Sequence, residues 1–145
     1  EITARTAAGG CLMARRDQKL AVVSWQLVDG VKDPARPHFR SRAMNLGPML
    51  VGSGLAATAA FHEAKAGPGQ SAKPLNQAYR VLVDALANYV LGRSDANGRA
   101  LVLDVGTMDI ADYRRASADA RAFALWVRRA AEALIPPAAQ DEARS

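Results

Sequence analysis

Cysteine is nearly absent: Cys11 is the only one in 145 residues. A lone cysteine rules out an internal disulfide, which fits a reducing compartment, and a cytoplasmic setting is expected. Histidine is also scarce. His38 and His62 are the only two, and with one cysteine they do not make a structural zinc site. No metal and no cofactor are expected. Aromatic residues make up 6% of the chain, so alanine and leucine dominate the apolar half, which favours helices over sheets. Residues 1–12 lack the basic start and long apolar core of a signal peptide. The longest uncharged run, Ala43–Phe61, approaches the ~20 residues of a membrane span. Asn45, Gly47, Pro48, Gly52, Ser53 and Gly54 interrupt it. A buried core segment is the better reading, and no membrane partner is expected. No internal repeat is evident.

Positive charge is in excess. Lysine and arginine number 19 against 14 acidic residues, giving a net charge of +5 and a pI near 9.9. Of the 19 basic residues, 15 are arginine. The planar guanidinium fork binds phosphate well, so nucleic acid is a plausible partner. A soluble protein from an arginine-rich proteome would have the same composition. The length suits one domain with a real core. Residues 1–13 read as a disordered leader, 14–137 as the helical domain and 138–145 as a frayed tail.

The spacing predicts an all-α single compact bundle of about five to six helices. The first runs from Ala14 to about Val31, with Leu20, Val23, Leu27 and Val31 on one face, widened by Ala21, Trp25 and Val28. Residues 33–38 form a loop. Two central helices span Arg40–Lys65 and meet at a corner near Gly52 and Gly54, because glycine accepts the φ > 0 backbone that ends many helices. Residues 66–74 are a linker. Leu75–Leu91 is helical, with Gly92 as its C-cap. Residues 93–107 hold a turn signal and the strand-like run ALVLDV, for which an ordered loop or short helix is expected. The last helix is capped by Asp109, with Asp112 at N3 and Met108 and Tyr113 as a staple, and stops at Pro136–Pro137. The core is placed on Leu50, Leu55, Phe61, Leu82, Leu86, Phe123 and Val127.

Catalytic groups are few. A Ser53–His62 nucleophile pair is conceivable, but no elbow motif or strand supports it. Gly52-Ser53-Gly54 lacks the lysine and strand of a phosphate loop. No catalytic residue and no enzyme activity are expected. The arginines say more. Arg114, Arg121 and Arg128 recur every seven residues along one edge of the final apolar stripe. The helical rise of about 1.5 Å per residue spaces them by about 10 Å. Such a ladder can track a phosphate backbone or form a solvated face. Leu125 and Trp126 lie off the core stripe and suggest a second packing surface, inside the protein or with a partner.

The segments GPMLVGSGLAATAAFHEAK, NQAYRVLVDALANYVLG and DIADYRRASADARAFALWVRRAAEAL resemble one family. It is the small all-helical subunit of the type III-B CRISPR effector, the Cmr complex. The resemblance covers roughly Ala14 to Pro136. It rests on Gly54-Leu55, Thr58 and Phe61 of a GL-x-x-T-x-x-F segment, then Tyr113-Arg114, Trp126 and Arg129. Ser53 stands where asparagine is the family's usual residue, and ALVLDV fits no part of the pattern. The resemblance implies a non-catalytic subunit in antiviral defence, stacked with further copies of itself as a minor filament along the guide RNA–target RNA duplex, beside other Cmr complex subunits. Arg40, Arg42, Arg114, Arg121 and Arg128 are the candidate RNA contacts in that setting, and Leu125 and Trp126 the candidate partner interface. The alternative is a helical protein–protein adaptor that touches no nucleic acid.

Overall fold

A computed structural model describes residues 2–69 and 73–137, with side chains from Arg15 onward. Six helices are present among the described residues: α1 (Ile2–Asp29), α2 (Arg36–Ser53), α3 (Leu55–Ala66), α4 (Pro74–Leu91), α5 (Gly98–Thr107) and α6 (Ile110–Leu134). The all-helical expectation holds. The first helix begins at Ile2 and takes in residues 2–13 of the segment expected as a leader. The expected frayed tail, 138–145, lies outside the described residues.

Gly54 makes the central corner. Its φ of 87° closes α2 and opens α3, a backbone that suits glycine because it has no Cβ. The first turn of α3 has no side-chain cap of its own. Instead the Ala56 N–H donates to the Tyr113 hydroxyl of α6 at 3.1 Å. Pro48 sits inside α2 without ending it, although its missing N–H removes one helical bond.

α2 runs antiparallel to α6. Its start lies at Leu134 and Ile135, Gly47 passes Ala124, and Gly54 meets Tyr113. Two arginines of α2 tie this seam. The terminal nitrogens of Arg36 donate to the carbonyls of Val28 and Val31 and to that of Leu134, and Arg40 Nε donates to the Ile135 carbonyl at 3.0 Å. Neither α1 nor α6 carries a basic residue in its last turn. The orphan carbonyls at both C-terminal ends therefore take cations from α2, which also suits the negative end of each helix dipole.

The expected core is largely present. Leu50, Leu55, Leu82, Leu86, Phe123 and Val127 are all buried. Phe61 is the exception at 39% exposed, and its neighbour His62 is buried in its place. Among the described side chains of α1 the innermost are Leu20, Ser24 and Val28. Ser24 is tolerated because its hydroxyl donates to the Leu20 carbonyl at 2.6 Å. Trp25 stays outside.

The strand-like run ALVLDV forms α5. Asn97 caps it, its side chain accepting from the Ala100 N–H at 2.8 Å. Gly98 is pressed against α3 and α4: a Cβ there would meet the Glu63 carboxylate of α3 and lie 2.9 Å from Val83 Cγ1 of α4. Asp84 accepts from the Gly98 N–H at 2.9 Å and from Arg80 at 3.1 Å, while Arg80 also holds Glu63 at 2.8 Å. Two carboxylates at the positive end of α5 favour the helix there.

Candidate nucleic-acid interface

The N-terminus of α6 is set as the sequence indicates, with Asp109 Oδ1 accepting from the Asp112 N–H at 2.8 Å. From there Ala116, Ala120, Phe123, Ala124, Val127, Ala130 and Ala131 turn inward. Arg114, Arg121 and Arg128 are exposed. They flank the buried stripe on the side of Ala124, the side that faces α2 at Gly47. Arg40 lies at the end of the same seam, half-buried, with its Nε held by the Ile135 carbonyl. The structure thus brings four of the five candidate arginines to one flank.

Their engagement differs. Among the described residues, Arg114 and Arg121 have no hydrogen-bond or ion-pair partner. Arg128 Nε reaches Glu132 at 2.9 Å across the surface, a pair that contributes little in water. Asp119 is drawn to α1, where Arg16 holds it at 2.9 Å, so it does not neutralise the ladder.

Arg42 is the one candidate that the structure sets apart. It lies on the opposite flank of α2, where a terminal nitrogen donates to the Tyr79 hydroxyl at 2.8 Å. Its guanidinium sits 5.5 Å from the Tyr79 ring centre.

The proposed apolar pair is also divided. Leu125 is 48% exposed and falls between Arg121 and Arg128. Trp126 is half-buried against the core, with Arg129 over its ring at 5.4 Å. Trp126 thus packs in part inside the protein. Ser53 is exposed while His62 is buried, and no hydrogen bond joins them. Among the described residues no group of three histidine, cysteine or acidic side chains is placed to hold a metal ion, and no helix is long and apolar enough to cross a membrane.

Periodicity assigns the core position to Phe61 and so overlooks His62. The Nδ1 of His62 lies 2.8 Å from the Thr58 carbonyl. Burial lowers its pKa from the ordinary 6.5; the Thr58 carbonyl opposes the shift and the Arg42 charge adds to it. Arg36 is likewise invisible to sequence reasoning, because nothing local marks an arginine that caps two other helices.

The family model for the CRISPR-associated protein Cas_Cmr5 matches residues 16–134. Among solved structures, the crystal structure of a CRISPR-associated Cmr5 family protein from Thermus thermophilus is similar. Its TM-score is 0.67 at 27% identity, covering 83% of this chain and 97% of that one. No curated protein matches the chain. The match across nearly all the described helices, together with the shared fold, shows that the chain belongs to the Cmr5 family of CRISPR-associated proteins and is a small helical Cmr subunit.

Proposed function

We propose that the chain is a non-catalytic structural subunit of a type III-B Cmr ribonucleoprotein in the cytoplasm. In this reading it stacks with further copies of itself along the guide–target RNA duplex, in antiviral defence. The observation that carries the RNA contact is the flank of α6. Arg114 and Arg121 are exposed there without a partner among the described residues, Arg128 has only a surface pair, and Arg40 closes the row. A row spaced by about two helical turns reads charge and shape rather than bases. That suits a subunit that must accept any guide.

The test is the triple variant Arg114→Ala, Arg121→Ala, Arg128→Ala, assembled into the complex. Alanine is the best helix former, so α6 persists. Each lost phosphate contact flattens the slope of log K against log salt by about 0.7–0.9. The variant is expected to lose about 2–3 units of slope, equally for unrelated target sequences. Normal assembly with unchanged affinity and slope would leave the row a solvated face and make the adaptor the better reading.

A further inference from the structure

On the flank of α2 that faces away from α6, a cleft of about 370 Å³ opens between α2, α3 and α4. Arg42, Asn45, Pro48, Met49, Phe61, His62 and Tyr79 line it, and none of these is acidic. Phe61 is the anomaly. The residue is 39% exposed, yet its ring is braced from two sides. His62 meets it edge-on at 5.6 Å and Tyr79 at 6.2 Å, both at 75°. Those two braces are themselves fixed. His62 is held to the Thr58 carbonyl, Tyr79 is 3% exposed, and the Tyr79 hydroxyl accepts from Arg42.

One cation stands at this ring and a second at its neighbour Tyr79. Lys65 lies 5.6 Å from the Phe61 centroid, and Arg42 lies 5.5 Å from that of Tyr79. A part-exposed aromatic ring, braced by His62 and Tyr79, with a cation at its face, another at Tyr79 and no carboxylate lining its cleft, matches the chemistry of single-strand recognition. Bases stack on the ring and phosphates pair with the cations.

We propose that this cleft binds one unpaired ribonucleotide, its base stacked on Phe61 and its phosphate paired with Arg42, the cation that lines the cleft. The choice of RNA as the partner rests on the function proposed above. The site itself is separate: it lies on the other flank of α2 and takes a splayed-out base rather than a duplex backbone.

The full chain is titrated with a labelled oligouridylate and with an abasic oligomer of equal length, by fluorescence anisotropy. Phe61→Ala is expected to weaken oligouridylate binding about tenfold, the worth of one stacked base. Phe61→Leu, which keeps the apolar bulk, is expected to do the same. The abasic oligomer should bind all three proteins equally and weakly. The triple α6 variant should retain the Phe61 effect, so this site and the α6 row fail independently. Three results overturn the proposal: binding by Phe61→Ala within twofold of wild type, equal affinity of the wild type for both oligomers, or no wild-type binding. A Phe61→Ala protein that binds RNA normally but no longer enters the complex would show a protein side chain in the cleft, and also overturns it.

Discussion

Phe61 and His62 show how one residue of phase decides burial. A stripe through Leu55 and Thr58 continues at both positions, since i+3 and i+4 share a helical face. The fold takes His62 inward, where its ring nitrogen meets the Thr58 carbonyl, and leaves Phe61 at the cleft. Phe61→Ala should therefore cost less than about 1 kcal/mol in a denaturant titration. Phe123→Ala should cost about 3–5 kcal/mol, because that ring is fully buried and stacked on Tyr89 at 5.7 Å. His62 gives a pH test. Its folded pKa lies below 6.5, its value when unfolded. Well above 6.5 neither state is protonated and the group contributes nothing. As the pH falls through 6.5 the unfolded chain takes up the proton first, so stability drops until the folded pKa is reached. Melting at pH 7.5 and 5.5 should show a larger loss for the wild type than for His62→Phe.

Among the elements, α5 and α6 contrast. The start of α6 is legible because its cap lies in its own sequence: Asp109 accepts from the N–H three residues on. Asp109→Ala should cost about 1 kcal/mol by the same titration. The start of α5 has such a cap in Asn97, but its apolar run also reads as a strand. The contacts that decide it come from elsewhere, from Asp84 on α4 and Glu63 on α3, joined by Arg80. Gly98 is the point of closest approach. Gly98→Ala should destabilise by about 1–3 kcal/mol through overpacking. Gly106→Ala makes the control, since a Cβ there meets nothing within 4 Å. Equal stability of the two variants would show that α5 does not press on α4.

At the scale of the molecule, charge is sorted by flank. One side of α2 carries Arg40 beside the α6 row, and the other carries Arg42 at the aromatic cleft. No described cluster suits a metal, and the His62 ring nitrogen meets the Thr58 carbonyl rather than Ser53. The purified chain is expected to leave RNA intact in magnesium or manganese over hours, followed by gel electrophoresis. Metal-dependent cleavage that vanishes with one substitution in this chain would contradict the non-catalytic reading.

The sequence by itself determined the helical class, the glycine corner, the caps at Asp109 and Gly92, and most of the core. These follow from spacing and local backbone chemistry, which act over a few residues. The arginine row was also visible, because a seven-residue repeat keeps one flank of a helix. Tertiary structure decided how each arginine is engaged. Arg36 and Arg40 answer carbonyls that lie 98 and 95 residues away in sequence, and Arg42 pairs with a tyrosine on α4. It also decided that ALVLDV is a helix and that Phe61 stays outside. Such choices depend on which partners arrive across the chain, and no local period carries that information.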